Sequence, residues 1–183
     1  MNILFLTQVL PYPPDAGPKF KTWQVLRYLI SQGHQVTLVS MVREEELRHI
    51  NVVEDHLTTF YPVLIKRSRI KDMFFLARSF LKGRSFLIDR DDLHDVRSLV
   101  NRLLAENNYD AIHADQITMT QFALPVLAQS ENTQKGHPHL LFDAHNATWM
   151  ILDRFAVESN GPKRWFFQIE ARRMKKFEAE IIA

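Results

Sequence analysis

The 183-residue chain contains no cysteine. That excludes disulfides, a thiol nucleophile and thiolate metal sites, and it leaves the redox compartment unreadable from the sequence. No stretch approaches the roughly 20 apolar residues that a membrane-spanning helix needs. Charge of one sign is also scarce: the net charge is +2 with histidine neutral, too little to indicate nucleic acid by itself. Glycine numbers five in all. Before the first helical pattern only Gly17 is available, so neither G-x-G-x-x-G nor a phosphate-binding P-loop is present. No group of residues has metal-ligand spacing along the chain. His137-Pro138-His139 lies in a polar stretch without a third partner, and no metal or cofactor is expected. Internal repeats and low-complexity segments are absent as well.

What is present is ordinary in amount and regular in pattern. Apolar residues make up 46% of the chain, enough for one good-sized core. Ile3-Leu4-Phe5-Leu6-Thr7 is almost continuously apolar, as a strand buried on both faces would be. Its N-terminal flank carries no basic leader, so it reads as a strand rather than a signal sequence, and a cytoplasmic protein is the default expectation. Pro11, Pro13 and Pro14 then take the chain out of the sheet. Gly17-Pro18 opens a helical pattern carried by Trp23, Leu26, Leu29 and Ile30, which predicts a helix from Pro18 to Gln32 stopped by Gly33. Gln35 to Ser40 follows as a second strand.

The alternation continues. Glu44 to Arg48 starts a polar helix, Phe60 to Ile65 is a third strand, and Pro62 marks it as an edge or an early position. Lys66 to Lys82 is basic first and aromatic later, ending at Gly83. Asp89 to Asn108 reads as one helix with Leu93, Val96, Leu99, Val100, Leu103 and Leu104 on a face. Asp110 to Asp115 is a short buried strand, Thr118 to Gln129 a helix despite Pro125, Ser130 to His137 a polar loop, His139 to Asp143 another buried strand, and Pro162 onward a long amphipathic helix. Strands alternating with helices predict an α/β chain: an open, mainly parallel sheet with helices on both faces. Ligands in such sheets bind outside the carboxyl ends of the strands. Gln8, Asp115, Asp143, His145 and Asn146 all sit at or just past strand ends, where a site is expected.

Three stretches carry a resemblance. Ile3-Leu4-Phe5-Leu6 with Pro11-Tyr12-Pro13-Pro14-Asp15-Ala16-Gly17 and Leu29 through Gly33-His34-Gln35-Val36-Thr37-Leu38 resembles the start of family-four glycosyltransferases. Tyr109-Asp110-Ala111-Ile112-His113-Ala114 and Phe142-Asp143-Ala144-His145-Asn146 resemble two further stretches of that family, in the same order along the whole chain. The resemblance implies the GT-B fold, two Rossmann-like domains facing across a cleft. It also implies transfer of a sugar from a nucleotide-sugar to an acceptor with retention at the anomeric carbon. Residues 1–183 would then be the N-terminal, acceptor-side domain, and the C-terminal domain that holds most of the donor would be missing from this chain. Alone, the chain would not catalyse transfer. A nucleotide-sugar epimerase of the same fold and a non-catalytic partner module are the alternatives.

The resemblance also assigns roles. His145 matches the family's active-site histidine, with orientation and polar stabilisation as its task. Gly17 matches the first of two glycines beside the donor diphosphate. Pro18 stands where the second is common, and its missing N–H leaves Lys19 to supply charge. Gln8, Tyr12, Asp115, Asn146 and Trp149 are acceptor-side candidates by position, and Asn146 is also a good helix cap. His113, within a strand, reads as a satisfied buried histidine. The bases and aromatics of Lys66 to Lys82 suit an amphipathic surface resting on anionic lipid, which would place the protein at the inner face of the membrane with a lipid-linked acceptor. The same pattern also suits a helix that packs its aromatics on the sheet.

Overall fold

The computed structural model describes residues 1–130 and 138–182. It divides into two compact units, one formed by Met1–Lys66 with Leu93–His145 and the other by Arg67–Asp92 with Asn146–Ala183. Each is described by itself.

The first unit is built on a five-stranded, all-parallel sheet of β1 (Asn2–Thr7), β2 (Gln35–Val42), β3 (Thr59–Leu64), β4 (Ala111–Asp115) and β5 (His139–Asp143). The strand order is β3-β2-β1-β4-β5, so the apolar first strand is central, as its composition requires. Leu4, Phe5 and Leu6 have no exposed surface. β3 is an edge, where Pro62 costs no ladder bond to a further strand. Alternation along β1 splits the core in two. Phe5 packs with Leu26, Val36 and Leu38 beneath α1 (Gly17–Ser31) and α2 (Ile50–Glu54). Leu4 and Leu6 pack with Met41, Val100, Ile112 and Phe122 beneath α5 (His94–Glu106) and α6 (Ile117–Ser130). Helices thus cover both faces. Gly33, at φ +76°, ends α1 in the left-handed conformation that glycine tolerates best.

Two predicted helices are corrected. The segment from Glu44 is a 3₁₀ helix, Glu44–His49, before it becomes α2. The Glu46 carboxylate accepts the Arg43 N–H at 3.0 Å, which tightens this first turn. The single helix expected from Asp89 to Asn108 is broken at Asp92–Leu93 into α4 (Phe86–Asp91) and α5. The chain passes from one unit to the other at that break, so the two halves serve different cores. The expected polar loop lies, from residue 131 to 137, outside the described residues.

The second unit is helical throughout its described residues: α3 (Arg69–Lys82), α4, α7 (Thr148–Glu158) and α8 (Gly161–Ile182). α7 packs on α8 and α3 on α4. Buried Glu170 on α8 accepts from Ser85 Oγ and from the Phe86 N–H, each at 2.8 Å, and so caps the start of α4. Phe80 stacks on Trp165 at 5.8 Å, with the Arg173 guanidinium 4.7 Å from the Phe80 ring. α7 was not anticipated from the sequence. Asn146 does not cap it: the residue before the helix is Ala147, and no side chain caps this end.

Candidate functional site

The site follows from strand register. Thr7, Asp115 and Asp143 end β1, β4 and β5 at one level: Thr7 lies opposite Asp115, and Asp115 opposite Asp143. The sheet order reverses direction at β1, whose neighbours are β2 on one side and β4 on the other. That is the topological switch point, where helices leaving to opposite faces open a crevice at the carboxyl ends of the strands. His113, two residues before Asp115, shares its face. Its ring lies parallel to that of Phe5, 4.2 Å away with a 9° interplanar angle. After the proline-rich loop, α1 returns over the same face and contributes Lys21 and Thr22.

Asp115 is the centre of this group and is almost fully buried. Its Oδ2 accepts hydrogen bonds from Thr7 Oγ1 at 3.0 Å and Thr22 Oγ1 at 2.9 Å. Its Oδ1 lies 2.7 Å from His145 Nε2, and the His145 side chain is only 6% exposed. A carboxylate accepts and does not donate, so the hydrogen-bond network places a proton on Nε2. Nδ1 then remains as an acceptor in the neutral ring, and it is buried with no hydrogen-bond partner among the described residues. Asp143 uses Oδ1 for the Lys21 ammonium at 2.5 Å, while Oδ2 is 3.8 Å from His145 Nε2. His113 Nε2 is also buried without a hydrogen-bond partner among the described residues. Burial pushes the His113 pKa below its ordinary value, against the opposing pull of Asp115 and Asp143. Next to Asp115, Gln116 has φ +81°, a strained backbone for a residue with a side chain and one often found beside functional groups. Its N–H donates to the Asp143 carbonyl at 3.3 Å.

Of the residues singled out in the sequence, Asp115 and His145 are brought into direct contact. Asp115 is not open to an acceptor: its oxygens are turned inward to two threonines and the histidine. Gly17 begins α1, where no side chain caps the helix. A methyl group there would meet nothing within 4 Å of the protein. Lys19 is held by Glu46 at 3.0 Å and lies 3.7 Å from Asp15. Tyr12 packs against Trp23 and His49, with ring centroids 5.4 and 5.9 Å away. Gln8 is half-buried just after β1. Asn146 and Trp149 belong to the second unit, Asn146 exposed and Trp149 beneath the Lys175 ammonium at 4.7 Å. Sequence reasoning left Thr7, Lys21, Thr22 and His113 out of the site. The one available signal was Thr22, a hydroxyl residue adjoining Trp23 on the stripe that α1 buries.

No protein-family model matches the sequence. No curated protein matches it either. Among solved structures, the chain is similar to the C-terminal domain of a hydrogenase from Pyrococcus furiosus, with a TM-score of 0.51 and 12% sequence identity over 78% of this chain and 90% of that one. At that identity the likeness concerns the fold alone, and it agrees with a Rossmann-like arrangement of parallel strands and flanking helices.

Proposed function

We propose that this chain is the N-terminal, acceptor-side domain of a retaining glycosyltransferase of the GT-B fold. The observation that carries the reading is His145, fixed by buried Asp115 at the carboxyl edge of the sheet and at its switch point. An imidazole whose Nε2–H is committed to a carboxylate has a set tautomer and a set ring plane. Its Nδ1 is then the atom that accepts a hydroxyl of the sugar or of the acceptor. Placed where charge develops at the anomeric carbon, a pre-oriented dipole of this kind lowers the barrier without reorganising during the reaction. The uncapped start of α1 supports a donor-phosphate role for Gly17 and Lys19 through their backbone N–H groups. The Lys19 side chain is committed to Glu46 and acts at most indirectly.

The acceptor reading draws on the second unit. On α3, Ile70, Met73, Phe74 and Leu81 are 65% to 90% exposed and alternate with Arg69, Lys71, Arg78 and Lys82. Exposed apolar residues framed by bases suit insertion into an anionic bilayer and a lipid-linked acceptor at the inner face of the membrane.

The test is a panel of nucleotide-sugars offered to the protein in the full length its gene encodes. Nucleoside diphosphate release is followed, and the anomeric configuration of the product is read by NMR. Turnover with retained configuration is expected for one donor. Inversion, or epimerised sugar in place of transfer, would overturn the reading. Flotation with vesicles containing phosphatidylglycerol tests the membrane part: binding is expected for the parent and should be lost in Phe74→Ser/Leu81→Ser.

A further inference from the structure

We propose that His113, Asp115 and Asp143 form a binding site for one divalent transition-metal ion of the zinc class. One ligand atom from each residue lies within 4.8 Å of the other two. Around a tetrahedral ion bonded at about 2.0–2.2 Å, ligand atoms sit roughly 3.4 Å apart. Closing that difference falls to the Asp143 side chain, the more exposed of the two carboxylates.

The hydrogen-bond inventory points the same way. Asp115 Oδ2 is taken by two threonine hydroxyls and Oδ1 by His145, while Asp143 Oδ1 is taken by Lys21. What these bonds leave over is a second lone pair on Asp115 Oδ1, the Asp143 Oδ2, which is 3.8 Å from His145 Nε2, and the buried His113 Nε2, which has no hydrogen-bond partner among the described residues. In the His113 tautomer protonated at Nδ1, Nε2 is a free acceptor beside the two carboxylates. A buried acceptor left unmatched costs stability, and a cation held between the two carboxylates would match the His113 Nε2. The His113 ring is immobilised against Phe5, and the backbone that carries it is locked between β1 and β5, so this ligand is presented before any ion arrives. Thr7 and Thr22 act on Asp115 as outer-shell donors, which orient a coordinating carboxylate. One imidazole and two carboxylates, with no thiolate in the chain, favour a borderline ion such as Zn²⁺ or Co²⁺. Three protein ligands leave a position open for water or a substrate oxygen.

Lys21 is the built-in competitor. Its ammonium sits on Asp143 and is half-exposed, so it can leave without breaking the core. The site therefore predicts a specific antagonism: removing the Lys21 charge should strengthen metal binding.

The experiment is titration of chelator-treated full-length protein with Zn²⁺ by calorimetry and with Co²⁺ by visible absorption. It needs no sugar transfer, so its outcome is independent of the proposed activity. One ion per chain is expected, with the absorption bands of a low-coordinate Co²⁺ site. His113→Gln and Asp143→Asn should each abolish that ion, Thr22→Val should weaken it by about 10-fold, and Lys21→Met should tighten it. Circular dichroism and thermal melts establish that the variants fold. Should His113→Gln fail to fold, Asp143→Asn and Lys21→Met carry the test. The proposal is overturned by absence of stoichiometric binding to the parent, by binding only after Lys21 is removed, or by binding that folded His113→Gln and Asp143→Asn retain.

Discussion

The two units of this chain differ in charge, in burial and in what their polar side chains do. The sheet unit has nine lysines and arginines against twelve acids, and the helical unit fourteen against nine. In the sheet unit, buried polar side chains converge on the carboxyl ends of β1, β4 and β5, and two ring nitrogens there have no hydrogen-bond partner among the described residues. In the helical unit, buried Glu170 satisfies Ser85 and the Phe86 N–H, buried Asp91 is held by Arg67 at 2.5 Å, and the groups without a hydrogen-bond partner among the described residues, the Asp89 carboxylate beside Arg84 and Glu178 Oε2, are carboxylate oxygens and not ring nitrogens. That unit instead shows its large apolar residues to solvent: Leu81 is 90% exposed and Ile70 80%. The ring nitrogens gathered at one sheet edge are what the proposed acceptor and metal sites rest on. The exposed apolar residues among bases are what the proposed membrane contact rests on.

Four substitutions can break or sharpen that contrast. On the proposed transferase reading, the largest effect is expected from His145→Ala in the full-length protein. Turnover should fall by about 10²–10³-fold while the melting temperature stays near that of the parent; lost stability with specific activity intact would make the histidine structural. Glu170→Ala should do the reverse. It strands the Ser85 hydroxyl and the Phe86 N–H in a buried place and should cost about 1–3 kcal/mol of stability, read as a lower denaturation midpoint with turnover per folded molecule unchanged.

A pH effect comes third. The folded-state pKa of His113 is lowered by burial, so the unfolded chain takes up this proton first. Its contribution is fully present above the ordinary imidazole pKa and is lost as pH falls from there toward the lowered value. In protein freed of metal, His113→Gln should flatten the loss of stability on that acid side, and an unchanged slope would show that another group is responsible. The smallest effect is expected at Gly17→Ala. The added methyl meets nothing and the backbone is not left-handed, so stability should rise by about 0.4–1 kcal/mol. A fall in donor affinity in the same variant would place the diphosphate against this turn, whereas unchanged affinity would count against the donor-phosphate role.

Much of the sheet was legible because its signals are local. The unbroken run at Ile3–Leu6 identified the central strand, Pro62 narrowed β3 to an edge or an early position, and Gly33 and Gly83 marked the helix ends. Two failures were local as well. Apolar spacing runs on through Leu93, so nothing marked the division of α4 from α5. α7 begins after Ala147, which supplies no side-chain cap to announce it. The site was legible only in part. His145 and Asp115 could be named because both follow strands. Their contact could not, and neither could the Thr7 and Thr22 hydroxyls on Asp115, because those partners meet only through strand register and the return of α1. Positions such as Tyr12 and Lys19 share the same loop but are committed to Trp23 and Glu46, a difference that only packing reveals.

The central place of β1 has a consequence for how the chain is made. Its two neighbours are encoded far apart: β2 follows within one helix, but β4 comes after the whole of α3, α4 and α5. At a synthesis rate of roughly 5–20 residues per second, the about fifty residues between the end of β3 and the end of β4 take some 3–10 s to emerge. Through that interval the most apolar strand of the protein is the open margin of a three-stranded ribbon, with a row of unpaired amides facing outward. The nascent chain is therefore most prone to aggregate along the strand that is best protected once synthesis is complete, and a chaperone that shields β1 would act before β4 has left the ribosome.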